Sequence, residues 1–355
     1  MTAIPAPAVD LSRRDTTALD ARLDRISRRR RGLPPPTALV RSPGGSYHYG
    51  DQQTPFHAAS VGKLATAALA GQFIDEGLLA PDTAVAEILG PELDGLFTVA
   101  GRDHAGTVTV EHLLTHTAGC DDYFEGRTHG GPRFQKFLTG DPDRFWTPTD
   151  VLAFARTYQR ARSIPGHEFR YSDTGFTLLG LLLERVGGAP FHELLDARIL
   201  TPLQLSDTYL AFRSGRDRPI APFWLGRAEA STWRAVSCDW AGGGIVTTPA
   251  DLARFTGALF RGQVVSPATR DWLSRPRHRF RSGLRYGAGT MEVRFEEFFF
   301  LLRGLPRLRG HLGILATHAW YDPDSDTEIV LNFHSTRQLT ASFRLLTALM
   351  QTLRR

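Results

Sequence analysis

Lysine is almost missing from this sequence: Lys63 and Lys136 stand against forty arginines in 355 residues. A bias of that size reads as the coding preference of a GC-rich genome, so arginine in bulk carries little information and a well-placed lysine carries much. Cysteine is equally scarce. Cys120 and Cys238 are too few and too far apart for a disulfide framework or a CxxC metal site. No apolar run approaches the ~18 consecutive residues that read as a membrane-spanning helix. Residues 1–25 hold no unbroken apolar segment of signal-peptide length. The expectation is a cytoplasmic protein with neither a membrane nor a nucleic acid as partner. Charge of one sign is also lacking, because the formal +5 is spread along the chain among Asp and Glu. The densest basic run, Arg28 to Arg31, closes a helix-like stretch with apolar Leu19, Leu23 and Ile26. Cations suit a helix C-terminus, and the run reads as solvated surface.

What is present is ample apolar material, 42% of residues, in a chain longer than one simple core requires. One large composite domain or two closely packed ones are expected. A helix from about Asp15 to Arg31 leads through Pro34 to Pro36 into Thr37 to Arg41 and Ser46 to Tyr49, which read as a hairpin around Ser42-Pro43-Gly44-Gly45. After Phe56 the pattern turns helical, with Val61, Leu64, Ala65, Ala68 and Leu69 on one face. The middle reads as helical pieces and long loops, clearest as helix at Phe176 to Arg185 and Pro249 to Phe260. Strand-like segments return at Leu284 to Val293, Ile314 to Tyr321 and Glu328 to Phe333, before a last helix over Leu339 to Leu353. The organisation expected is an N-terminal helix and linker (1–36), an α/β sheet part (37–72 with 280–355) and a mainly helical part (73–279).

Three elements carry chemistry. Ser60-Val61-Gly62-Lys63 places an alcohol and an amine on one helical face, within contact range. An alcohol is a weak nucleophile until a neighbour takes its proton, which a lysine held near cations or in a dry site can do. Seventeen serines and two lysines produce such a spacing by accident about once in ten sequences, so the motif needs partners. Tyr171-Ser172-Asp173 precedes an apolar helix, and a tyrosine near cations can lose its proton below its usual pKa of about 10 and act as a base. By itself it reads as a half-buried structural tyrosine. Gly310-His311-Leu312-Gly313 would be a loop on its own. Its glycines would let substrate approach a strand edge, and the following N–H could serve a developing oxyanion.

In this order and spacing the three elements resemble the serine β-lactamase and penicillin-binding family, especially its class C-like branch of esterases, peptidases and acyltransferases. Leu113 to Gly119, Tyr171 to Gly180 and Ala241 to Thr248 are each similar to a family signature, and the likeness covers about residues 37–350. It implies an α/β fold of the β-lactamase/transpeptidase type, an antiparallel sheet flanked by helices with a helical insert. Ser60 would form an acyl-enzyme, Lys63 and Tyr171 would move its proton, and the N–H groups of Ser60 and Ile314 would form the oxyanion hole. Asp173, His311, Leu312 and Gly313 would meet a small-molecule acyl substrate. No metal or organic cofactor is called for.

Two departures narrow the substrate. Asp173 stands where penicillin-processing members carry Asn, and its carboxylate could pair with Lys63 and move the base role toward Tyr171. Leu312 stands where a Thr hydroxyl commonly binds the substrate carboxylate. An esterase, amidase or acyltransferase on small or secondary-metabolite acyl groups therefore ranks first. A D-Ala-D-Ala peptidase or β-lactamase ranks second, and a silent binding scaffold third. Other patterns fail: there is no Gly-x-Ser-x-Gly elbow, and neither His167-Glu168 nor His192-Glu193 completes a zinc motif. Asp322, Asp324 and Asp326 lack the glycine and closing Glu of a calcium loop and read as a hairpin turn.

Overall fold

The computed structural model describes residues 16–30 and 32–354. Helix α1 (Thr17–Arg29) buries Leu19 and Leu23 and ends on Arg28 and Arg29, whose charge suits the negative helix end. The expected limits at Asp15 and Arg31 lie outside the described residues. Arg30 departs from the solvated reading of the basic run. It is buried, donates to the Phe333 carbonyl and lies 5.3 Å over the Phe333 ring, and burial lowers its pKa to about 10.

β1 (Thr37–Ser42) and β2 (Gly45–Tyr49) form the expected hairpin. They join β3 (His278–Arg281), β4 (Leu284–Tyr286), β5 (Met291–Val293), β6 (Leu308–Gly313), β7 (Thr317–Asp322) and β8 (Thr327–Asn332) in one sheet. Its order is β3-β4-β5-β6-β7-β8-β1-β2, antiparallel throughout. Strand alternation gives each face its own core. Leu39, Ala319, Tyr321 and Val330 face one side, and Ala38, Val40, Trp320, Ile329 and Leu331 the other. The first side packs on α2 (Lys63–Asp75), α3 (Asp173–Gly187) and α4 (Pro249–Phe260), and the second on α1 and α5 (Leu339–Arg354).

Three strand readings shift. Leu284 to Val293 is a hairpin rather than one strand, turning where the Gly287 N–H donates to the Thr290 carbonyl. The stretch expected to start at Ile314 starts at Thr317, because Ile314 to Ala316 make a turn in which the Ala316 N–H donates to Gly313 O at 3.0 Å. Gly310 to Gly313, read as a loop, belongs to β6, where pairing with both β5 and β7 satisfies the backbone despite two glycines. Asp322 and Thr327 pair across the β7–β8 turn, as the hairpin reading requires. Among the described residues no helix is long and apolar enough to cross a membrane.

Candidate active site

Ser60 lies in a 3₁₀ turn, Ala59–Gly62, and α2 begins at Lys63. The serine thus precedes the helix on whose face it was expected. Ala59 adopts φ 50°, a left-handed conformation that costs an alanine about 1 kcal/mol or more. The surroundings hold it there. The Ala59 N–H donates to His57 Nδ1 at 3.1 Å. A Cβ added to Gly313 would lie 2.7 Å from the Ala58 carbonyl oxygen, and one on Gly243 2.8 Å from the Ala59 carbonyl carbon. Gly313, expected to make room for substrate, makes room for the Ser60 turn itself.

Lys63 is fully buried. Its ammonium donates to the Asp173 carboxylate and, at 2.5 Å, to the Gly242 carbonyl, and lies 5.0 Å from the Tyr171 ring and 5.1 Å from that of Phe176. A buried ammonium is tolerated only with such pairing. Asp173 is the first residue of α3, where a carboxylate suits the helix dipole, and Ser172 Oγ caps that helix by accepting from the Gly175 N–H at 3.2 Å. Tyr171, one residue before the cap, is in hydrogen-bonding contact with Ser60, which favours the phenolate. Burial and then Asp173 outweigh that contact and raise the phenol well above its ordinary value near 10. The expectation of an easily ionised tyrosine is overturned: Lys63 is already paired with Asp173, and the carboxylate acts against a second negative charge.

A hydrogen-bonded chain runs behind these groups. The Ser172 N–H donates to His116 Nδ1 at 3.2 Å, which leaves His116 Nε2–H to donate to the Tyr286 oxygen at 2.9 Å. Tyr286 then donates to His311 Nε2 at 3.3 Å, and His311 Nδ1–H to the Leu312 carbonyl at 2.8 Å. Each imidazole must be neutral for the chain to close. Burial agrees, lowering His311 to about 3 and His116 well below its usual range. His311, expected at the substrate, is fully buried behind Tyr286 and does not line the cavity. It ties the end of β6 to the start of α3 instead.

The cavity, about 680 Å³, opens between the sheet and the helical part, with Ser60, Tyr171, Asp173, Leu312, Gly313 and Ile314 on its wall. Four further carboxylates, Asp121, Asp122, Glu125 and Asp239, reach it that the sequence reading missed. Asp122 accepts the N–H groups of Phe124, Glu125 and Asp173, each at 3.1 Å, yet burial and then Asp173 push its carboxyl well up. Asp239 rises to about 7 through burial and then Asp173, with Lys63 opposing. Glu125 rises through burial and then Asp173, with Arg281 opposing. His57 Nε2 stands 3.8 Å from Asp239, and burial lowers that imidazole to about 4. No spacing rule marks these acids. Their one sequence signal is position, since Asp122 closely follows Leu113 to Gly119 and Asp239 closely precedes Ala241 to Thr248.

The fold and the clustered Ser60, Lys63 and Tyr171 define a class, and comparison with known proteins agrees. The Beta-lactamase family model matches residues 39–351, and the chain belongs to that family. Penicillin-binding protein 4 of Amycolatopsis lactamdurans is 28% identical over 234 residues, 61% of this chain and 53% of that protein. The acyltransferase mokF of Monascus pilosus is 30% identical over 163 residues, 43% of this chain and 37% of that one. The chain therefore spans about half or less of the length of these curated relatives. Among solved structures, a D-stereospecific amidohydrolase from Streptomyces sp. has a TM-score of 0.77 at 25% identity, covering 91% of this chain and 95% of its own. D-amino acid amidase of Ochrobactrum anthropi SV3, complexed with D-phenylalanine, has a TM-score of 0.79 at 20% identity over 96% and 98%, which shows the same fold.

Proposed function

We propose that this chain is a serine hydrolase or acyltransferase that works through a Ser60 acyl-enzyme, on small esters or amides whose acyl group carries no carboxylate beside the scissile bond. The observation that carries the reading is the meeting of Ser60, Tyr171 and the Lys63–Asp173 pair at one wall of the cavity. Ser60 Oγ adds to the carbonyl carbon as its proton passes to the Tyr171 oxygen. In the same motion the phenol gives its own proton to the leaving nitrogen or oxygen, whose bond to the carbonyl carbon then breaks. A relay of this kind keeps Tyr171 neutral before and after the step, which fits a phenol held protonated by burial and Asp173. The Lys63 ammonium, 5.0 Å from the Tyr171 ring, opposes negative charge as it develops on the phenol oxygen. The N–H groups of Ser60 and Ile314 receive the oxyanion. Water, an alcohol or an amine then takes the acyl group by the reverse route.

Charge supports the choice of acyl group. Asp122, Glu125, Asp173 and Asp239 border the cavity, and Leu312 offers no hydroxyl to a carboxylate. An acyl group bearing an ammonium, as in the D-phenylalanine bound to the D-amino acid amidase of Ochrobactrum anthropi SV3, would be favoured there. The test compares kcat/KM for nitrocefin, p-nitrophenyl butyrate and an amino acid p-nitroanilide, with and without added alcohols and amines, in wild type and Leu312→Thr. A hydrogen bond to a charged group is worth about 1.5–3 kcal/mol, so the substitution should raise the nitrocefin-to-butyrate ratio by about ten- to a hundredfold. A wild-type preference for nitrocefin would contradict the reading.

A further inference from the structure

Six large apolar side chains are exposed among the described residues, and four are consecutive: Phe298, Phe299, Phe300 and Leu301, the last two each 66% exposed. They cap an excursion, residues 294–307, between β5 and β6. Its base is fixed. The Phe298 ring packs 5.4 Å from that of Phe343 and occupies the space over Gly283, where a Cβ would meet it at 2.3 Å, and Leu302 and Leu305 join the core below the sheet. Phe299, Phe300 and Leu301 project from that base. With only five consecutive apolar residues, Phe298 to Leu302, the segment falls far short of a spanning signal, which is why hydropathy does not mark it.

The surrounding charge is of one sign. Residues 275–310 hold nine arginines against three glutamates, a net +6 that exceeds the whole chain's formal +5. The three glutamates are spent internally: Glu292 on Arg294 at 2.7 Å, Glu297 on Arg285 at 2.6 Å and Glu296 on Arg307 at 3.4 Å. Among the described residues Arg279, Arg281 and Arg303 have no carboxylate within ion-pair distance, and all three are exposed. A contiguous apolar patch marks a contact surface, and one rimmed by unpaired cations fits a partner with an apolar interior and an anionic face.

We infer that this excursion is an interfacial anchor for an anionic lipid bilayer, with Phe299, Phe300 and Leu301 entering the boundary between headgroups and acyl chains and the arginines meeting the phosphates. The inference departs from the sequence-based expectation of no membrane partner. Arg279 and Arg281 also border the cavity, so docking brings its mouth to the lipid surface. The inference stands independently of the Ser60 chemistry.

The test is flotation of the full chain with phosphatidylcholine vesicles, with and without phosphatidylglycerol. Wild type should float with the anionic vesicles, less so as salt rises, and hardly at all with phosphatidylcholine alone. Phe300→Ser with Leu301→Ser should lower the bound fraction about tenfold or more, with thermal midpoint and p-nitrophenyl butyrate turnover unchanged. Arg303→Glu should weaken binding to anionic vesicles alone. Three results would overturn the inference: wild type that does not float at low salt, a double variant that floats like wild type, or a wild-type dimer in sedimentation velocity that the double variant converts to monomer.

Discussion

Lys63 has no surface on water, so its ammonium depends on the Asp173 carboxylate and the Gly242 carbonyl. Its side chain bridges Ser60's turn and the start of α3, where Tyr171 stands, and in the proposed mechanism the two residues act as one proton-moving unit. Lys63→Ala and Tyr171→Phe should each lower kcat/KM for p-nitrophenyl butyrate by about 10²–10⁴, and the double variant should lose little more, because residues acting together are not additive. Fully additive losses would assign them separate roles. Ser60, Lys63 and Tyr171 were legible because a spacing of three on one helical turn, or a cap before an apolar helix, is written locally. Asp122 and Asp239 were not, because they reach the cavity from a loop and the end of a 3₁₀ turn far apart in the chain. His311 misled for a related reason: position along β6 says nothing of which face the ring takes, and here it turns inward to Tyr286.

Elements stood out in the sequence where their ends carry signals. Helix α4 runs Pro249–Phe260 as read, with Pro249 at its first position and Thr248 accepting from the Asp251 N–H. β6 carries no such mark, being a strand by virtue of its two neighbours. Its last residue packs against the Ser60 turn, and Gly313→Ala tests that dependence. The added Cβ meets backbone at 2.7 Å, so the turn must move, at a cost of about 1–3 kcal/mol. A fall in thermal midpoint with a tenfold or greater fall in kcat/KM is expected. Gly106→Ala, where nothing lies within 4 Å, should leave both values unchanged. Equal behaviour of the two variants would show that β6 does not hold Ser60.

At the scale of the whole molecule, buried imidazoles link stability to pH. His57 is lowered to about 4, and His311, His318 and His334 to about 3, each chiefly by burial. Between pH 6.5 and about 3 the unfolded chain binds protons on these rings that the folded chain does not, so stability is present above 6.5 and is lost as pH falls. Each ring contributes a slope of up to about 1.4 kcal/mol per pH unit. Asp122 and Asp239 act in the opposite sense, since their raised carboxyls keep protons in the folded state, and they offset part of the loss. Urea midpoints should therefore fall from pH 7 to pH 5, and a flat or rising midpoint would contradict the balance. The sheet and its flanking helices were foreseeable from alternation and helical periodicity, whereas this buried histidine network depends on which rings the packing closes over. The central claim is that one residue, Ser60, carries the acyl group, and the most direct measurement is mass mapping of the peptide modified by a fluorophosphonate probe. A single adduct on the peptide holding Ser60, absent from a folded Ser60→Ala variant, is the predicted result. An adduct elsewhere, or labelling that persists in Ser60→Ala, would contradict it.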